Sequence, residues 1–516
     1  MAKTKKEKQI DKRYLTAFGK VRSEFIKWDS TSLVNEIIRY LYNHFSIDSH
    51  AYIASQPWLM LLLIKWIVQD VSFKKKSRPI PNSNDALLIM NMMIKLVGKS
   101  RLPTEYPSIH FWMRAMAHQQ LTYQQGISLN HFGRQKLLFA DLASNHTIKT
   151  DFEAQYGISI DIFLELSFAL LTAFVSESKQ NVNKSWFTSL EVAYGHETIR
   201  TFLNSISTDL PALKNHVQQF NKRTPEEPYE LTPFVSYPLI KMGDLYCCWY
   251  PLVLYKSLDH FIYDKVKAIN PSRFMDKFGG IFEDYCEQSL ASSNVFYKNE
   301  EDIKAILGQD HSSVDLLIKD SQSLIFIDAK GVEMNQREHT TANPMYVEGR
   351  TKNSAIKAIR QSFSVYSRLN DLAGLLGLDP SIEPTPYVLV ITYKEMYLGN
   401  GEIFYNTVAK TKIDEIRVEY PLVNIPLKNM YFVTVEQFDI LCNLVKLGNT
   451  TFENMLTYAV SNDDNSSSSK FLFSMHLAHF GREPIEKLDL ASDELIDRLS
   501  RALIEHELQQ NTVENT

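Results

Sequence analysis

Residues 313–330 constrain the fold more than any other stretch. Ser313-Val314-Asp315-Leu316-Leu317-Ile318 and Leu324-Ile325-Phe326-Ile327-Asp328-Ala329-Lys330 are rich in Leu, Ile, Val and Phe, and only Lys319-Asp320-Ser321-Gln322-Ser323 separates them. That link is short, polar and turn-like, so the two runs predict a β-hairpin. Strand side chains alternate faces, so Asp328 and Lys330 point the same way. With the turn centred between Ser321 and Gln322, Asp315 falls opposite Asp328, Cβ atoms about 5 Å apart. Two carboxylates that close among apolar neighbours repel unless positive charge separates them. A divalent cation is one resolution, and hard cations choose oxygen ligands. The competing reading, two unrelated surface acids with Lys330 as a salt-bridge partner, fits the apolar neighbours and the matched register less well.

The chain has 516 residues, more than one compact core uses, which predicts two or three domains. A net charge of −5 and a pI of 6.3 exclude a chain-wide basic footprint for nucleic acid, though not a local one. Residues 1–30 carry nine Lys/Arg against four Asp/Glu, Lys74-Lys75-Lys76-Ser77-Arg78 is a second basic run, and residues 480–516 carry nine acids against four bases. Cys247, Cys248, Cys286 and Cys442 match no zinc or redox spacing and fit a reducing, cytoplasmic location. The lysine-rich N-terminus lacks the apolar stretch of a secretory signal. The longest apolar runs, 57–68 broken by Lys65 and 162–175 broken by Glu165, are shorter than a membrane span and predict buried helices, so no membrane partner is expected. No phosphate-binding G-x-x-x-x-G-K-[ST], no H-E-x-x-H and no G-x-S-x-G occurs.

Apolar periodicity predicts an almost wholly helical first part, with segments near 33–45, 56–70, 85–97, 107–120 and 160–175. A proline-rich joint leads to a hairpin, Phe234–Met242 and Leu245–Leu254, turning at Gly243-Asp244, and then a helix over 255–267. Further on, the pattern predicts a helix at 272–291, a strand at Val295-Phe296-Tyr297, the acidic hairpin, and a helix at 353–369 ended by Asn370-Asp371. A buried strand at 387–393, a strand at 431–435 and a helix at 436–447 follow. The tract Ser461–Ser469 is too polar to bury anything and predicts a mobile loop before a last helix at 484–510. These segments group as a helical recognition or regulatory domain (1–225), a linking hairpin and helix (226–270), an α/β domain (271–450) and a loop with C-terminal helices (451–516). The tetrapeptide His-Phe-Gly-Arg occurs at 131–134 and at 479–482 with unrelated flanks, a coincidence rather than a repeat.

Glu283 lies on the helix before the hairpin and shares a face with Gly279 and Gly280, whose missing side chains would let that helix approach the sheet. It offers a third carboxylate, bound directly or through water. Phosphodiester hydrolysis needs a positioned water, a Lewis acid and charge stabilisation. Asp315 and Asp328 could hold one or two Mg²⁺, with Mn²⁺ as substitute. Lys330 could orient or deprotonate the water and offset charge on phosphorus. Lys352, Lys357, Arg360 and Arg368, with Arg350, could contact a phosphate backbone or simply form a solvated helix face. His476 and His479 read more readily as core or surface histidines than as metal ligands.

The order of helix with Glu283, strand, Asp315 strand, Asp328-Ala329-Lys330 strand, helix and buried strand resembles the PD-(D/E)XK, or restriction-endonuclease-like, nuclease superfamily over about 270–435. Phe282-Glu283, Val314-Asp315 and Asp328-Ala329-Lys330 carry the resemblance. Val314 stands where many members have Pro, and Asp328 where Glu is frequent. The resemblance implies a multidomain chain with a mainly α N-terminal region and an α/β nuclease core, a mixed sheet flanked by helices. It also implies a role for Gln361, although the tyrosine expected four residues later is Val365, with Tyr366 one further. It adds the Ala329 backbone carbonyl to the metal ligands. The function implied is that of a Mg²⁺-dependent endonuclease acting on DNA more readily than RNA. The biological role implied is that of a bacterial antiviral (anti-phage or restriction-type) effector. The size and basic runs of the helical half lead to the expectation that it selects the target, with a second copy or a regulatory protein as partner. The alternatives are an RNase of the same fold, such as a tRNA-cutting toxin-like effector, and a non-catalytic sensor or scaffold with a vestigial nuclease fold.

Overall fold

The computed structural model describes residues 4–46, 50–73, 78–124, 126–379 and 381–514. Lys3 and Lys74–Lys76 of the basic runs lie outside the described residues. The chain is mostly helical with two small mixed sheets. It divides into two compact units, Met1–Glu105 with Met116–Pro271 and Glu486–Thr516, and Tyr106–Ala115 with Ser272–Ile485. The division departs from the sequence segments. Residues 226–270 and the helix Glu486–Glu514 belong to the first unit, while 451–485 and the short piece 106–115 belong to the second.

The first unit is built on the helix Pro57–Gln69, whose every side chain is buried. A helix apolar on all sides has no solvent face to offer and sits inside a core. Tyr14, Leu33, Ile37, Met93, Leu213 and Trp249 pack in the same cluster. The two charges that interrupt the long apolar runs are both paired. Lys65 Nζ lies 2.9 Å from Glu227 Oε1, and Glu165 accepts from Tyr194 OH at 2.9 Å and pairs with Arg498 at 3.0 Å. The basic N-terminus is a helix, Lys5–Phe25, started by a Thr4–Glu7 capping box and buried along Ile10, Tyr14, Val21 and Phe25. Two of its cations are engaged within the unit: Arg13 with Glu105 at 3.0 Å and Arg22 with Asp70 at 2.7 Å. The strands β1 (Asn181–Asn183), β2 (Ser207–Thr208), β3 (Leu239–Met242) and β4 (Leu245–Cys248) form a sheet ordered β1-β4-β3-β2. The β3–β4 hairpin turns at Gly243, φ 64°, as the sequence indicates. It is shorter than predicted, because Pro233 opens a 3₁₀ turn and Pro251 starts a helix. The predicted 255–267 helix is two, Pro251–Asp259 and Phe261–Ile269. No single helix among the described residues is long and apolar enough to cross a membrane; Thr147–Tyr156 and Ile160–Val175 reach that only as a pair bent by 61°.

The second unit holds a sheet of β5 (Tyr297–Asn299), β6 (Leu316–Asp320), β7 (Ser323–Lys330), β8 (Thr385–Thr392) and β9 (Met430–Thr434), in that spatial order. β5, β6 and β7 are antiparallel, whereas β8 and β9 run parallel to β7. β7 is therefore central and buried up to Ala329. Leu317, Leu324 and Phe326 pack with Val365 of the helix Ala355–Tyr366, and Val388 and Val390 of β8 pack with Ile356, Ile359 and Phe363 of the same helix. Phe111 and Ala115, distant in sequence, join this core. Two expectations need correction. Asn370-Asp371 do not end the helical region, because a second helix, Leu369–Leu376, begins there. The polar tract does bury a group: the helix Phe452–Asp463 runs into it, and the Asp463 side chain accepts from Tyr431 OH at 3.2 Å and from the Lys470 N–H at 3.0 Å, and pairs with His476 at 3.2 Å. The two His-Phe-Gly-Arg copies differ in conformation. The first lies buried in a helix with Gly133 against the Leu488 carbonyl, and the second has its Gly481 at φ 122°.

Candidate functional site

The β6–β7 ladder pairs Leu316 with Ile327 and Asp320 with Ser323, leaving the two-residue turn Ser321-Gln322, with Ser321 at φ 52°. One further step of this register sets Asp315 against Asp328. Asp315 precedes β6, and its Oδ2 accepts the Ala329 N–H at 2.7 Å. Lys330 Nζ donates to Asp328 Oδ1 at 2.7 Å and lies 3.6 Å from Asp315 Oδ2. Asp328 is 1% exposed, and its Oδ2 has no hydrogen-bond partner.

The electrostatics follow from burial. Desolvation, opposed by Lys330 and reinforced by Asp315, pushes the Asp328 carboxyl up to about 7. Desolvation also raises Asp315, against the pull of Lys330 and the Ala329 N–H. Glu283 is pushed up to about 7 by burial and by the Asp315 charge. Burial opposes the charge on Lys330, but the Asp328 and Asp315 carboxylates outweigh it and hold the ammonium well above its ordinary value. One cation thus faces three acids that burial makes reluctant to ionise.

A raised carboxyl pKa makes the metal-free fold less stable as pH rises. The Asp328 contribution is complete below about pH 4, the unfolded value, and is lost as pH climbs through about 7, the folded one. Thermal midpoints measured in EDTA should therefore fall across that window, and Asp328→Asn should flatten the fall. Equal slopes in the two proteins would contradict the assignment.

The donors fit a hard cation by type, since all are carboxylate oxygens and one, Asp328 Oδ2, is buried and unpartnered. They do not form a complete ligand set: among the described residues no group of three or more His, Cys, Asp or Glu converges as a metal-binding cluster. Asp315, Asp328 and Lys330 come together, while Glu283 lies near enough to feel the Asp315 charge without joining them as a third direct ligand. The Lys330 ammonium lies against both carboxylates, where a metal would compete with it. Ala329 contributes its N–H through Asp315; its carbonyl is a candidate ligand only.

The close helix–sheet approach falls at Gly331 and not at Gly279 and Gly280, where the sequence predicts it. A Cβ at Gly279 or Gly280 would meet nothing within 4 Å, whereas one at Gly331 would come within 2.8 Å of Phe278. Phe278 is fully buried, stacked between Phe274 and Phe282 and edge-on to Tyr393. A glycine directly after a strand is itself a signal of close approach, and it follows Lys330 here. Gly331→Ala should cost about 1–3 kcal/mol of stability, read as a lower denaturant midpoint; an unchanged midpoint would show that Phe278 yields freely.

Gln361 is buried and donates from Nε2 to the Ser313 carbonyl, two residues before Asp315, so it fixes the backbone leading to the site. Arg350 Nε donates to the Glu333 carbonyl at 2.7 Å, and Arg360 pairs with Glu419 at 3.3 Å. Lys352 and Lys357 are exposed, and the Lys357 charge reaches Asp328. Arg368 pairs with Asp371 at 2.5 Å, and His479 stacks on Tyr458 at 4.3 Å. No protein-family model matches this chain, and no curated protein matches it.

Proposed function

We propose that the second unit hydrolyses phosphodiester bonds with a bound Mg²⁺ or Mn²⁺, DNA being the preferred substrate. The observation that carries the reading is the buried, unpartnered Asp328 Oδ2 beside Asp315 and Lys330 at the end of the central strand. A bound metal would supply a Lewis acid for the phosphoryl oxygens and a more acidic water. The chain's own residues do the rest. Asp315 and Asp328 would hold the metal, with Asp315 oriented by the Ala329 N–H. Lys330, kept protonated by both carboxylates, serves to offset charge developing on phosphorus rather than to take a proton. Glu283, pushed up to about 7 by burial and by the Asp315 charge, is suited to accept a proton from water. Gln361 holds the approach to Asp315 rigid.

The test is cleavage of plasmid DNA and of total RNA by the purified chain in Mg²⁺, Mn²⁺, Ca²⁺ or EDTA. Plasmid cleavage in Mg²⁺ and Mn²⁺, little in Ca²⁺ and none in EDTA is expected, because the looser coordination of Ca²⁺ positions water poorly. Full activity in EDTA would sink the metal mechanism, and cleavage of RNA alone would move the substrate to RNA.

A further inference from the structure

Between Lys330 and the Ala355–Tyr366 helix the chain passes through two short helices, Gln336–Thr340 and Pro344–Thr351. The underside of this segment is firmly anchored. Arg114, fully buried, donates to the Glu338 carbonyl and reaches Met334 Sδ at 3.3 Å. Tyr106 OH donates to the Thr340 carbonyl at 3.3 Å, and Lys394 pairs with Glu333 at 2.6 Å. The outer side is unlike this. Met345 is 76% exposed and Tyr346 40% exposed, side by side in the first turn of their helix. The Arg337 guanidinium sits 3.7 Å from the Tyr346 ring centre, a cation–π stack that fixes the ring.

Charge is sorted in the same sense. Glu333 is engaged by Lys394 and Glu338 by its own helix cap, and Glu348 is half-buried, whereas Arg337 and Lys352 are exposed, as is Arg350, whose Nε donates to the Glu333 carbonyl. Burying an arginine is costly, and leaving Met and Tyr in water forfeits their burial. Folding accounts for the exposed arginines but not for the exposed Met345 and Tyr346; with Arg337 these preorganise an aromatic surface with a cationic surround, in the segment that follows Lys330 in the chain.

We propose that Tyr346, backed by Arg337 and flanked by Met345, is a stacking platform for an unpaired base of the substrate strand, so that single-stranded or locally unpaired DNA is the preferred substrate. The identity of the substrate rests on the nuclease reading above. Every base offers a π-face to such a ring, whereas intact duplex keeps its bases stacked and presents phosphates.

The test measures binding by fluorescence anisotropy, in Ca²⁺, of one oligonucleotide as single strand, as full duplex and as duplex with an unpaired bulge, using Asp328→Ala chain so that nothing is cut. Single-strand and bulge affinities should exceed duplex affinity. Met345→Ala/Tyr346→Ala should weaken them about tenfold while sparing duplex, and Tyr346→Trp should restore them. Both side chains are exposed, so an unchanged thermal midpoint is expected and checked. Unchanged affinities in the double variant, or duplex bound as tightly as single strand, overturn the platform. The binding arm reads the platform whether or not the wild-type chain cleaves, so failure of the nuclease reading is separately visible.

Discussion

Asp328→Ala is expected to abolish metal-dependent cleavage, by about a thousandfold or more, while leaving the fold intact. The carboxylate is the most buried charge of the site, and its Oδ2 has no hydrogen-bond partner among the described residues. Removing it leaves Lys330 within 3.6 Å of Asp315, so the cation keeps a partner. In EDTA above pH 7 the variant should melt higher than wild type, because the wild-type fold there carries an ionised group that burial disfavours. Below about pH 4 that advantage disappears, since Asp328 is neutral in both folded and unfolded chains. Saturating Mg²⁺ should reverse the order. Binding at a hundred times Kd stabilises wild type by about 2.7 kcal/mol, and the variant gains little. Wild-type cleavage by the variant, or a Mg²⁺-induced rise in midpoint that survives the substitution, would remove Asp328 from the site.

The juxtaposition of Asp315, Asp328 and Lys330 was legible because strand chemistry is local. Period-two alternation and a polar five-residue link are enough to set Asp315 against Asp328, and the ladder keeps that register. Other features depend on residues far apart in the chain. Nothing near Gly331 announces Phe278, which arrives from the helix Pro271–Ala291. Asp463 looks like part of a solvated tract until Tyr431 and His476 close on it. The unit boundaries were the least legible. Phe111 and Ala115 read as one more amphipathic helix of the helical half, yet they complete the core beneath β8. The consequence is practical. A fragment beginning near residue 230 would leave Tyr106–Ala115 behind and sever the β3–β4 hairpin from the rest of its own unit. The expectation that the helical unit chooses a target is therefore better tested in the full chain.

Glu227→Ala should be the most destabilising substitution in the first unit. Glu227 is fully buried, and four donors converge on its two oxygens: Lys65 Nζ at 2.9 Å, Trp66 Nε1 at 2.9 Å, Arg223 Nη1 at 3.0 Å and Tyr14 OH at 3.0 Å. These residues lie on three separate stretches of chain, so the carboxylate ties the N-terminal helix, the central apolar helix and the proline-rich joint together. Removing one member of a buried ion network strands its partners, at about 3–5 kcal/mol. Lys65 is 2% exposed and has one recourse, Glu230 at 3.8 Å. Burial and the Glu227 charge, opposed by Lys65, now push Glu230 up to about 7; with Glu227 gone it should ionise more readily and recover part of the loss. Glu227→Gln keeps an acceptor for two of the donors and should cost less than Ala. Because the chain has two units, unfolding should be followed by tryptophan emission in urea, with Trp58, Trp66 and Trp249 reporting the affected core. A midpoint unmoved by Glu227→Ala would show that water replaces the carboxylate and that the network does not hold the unit together.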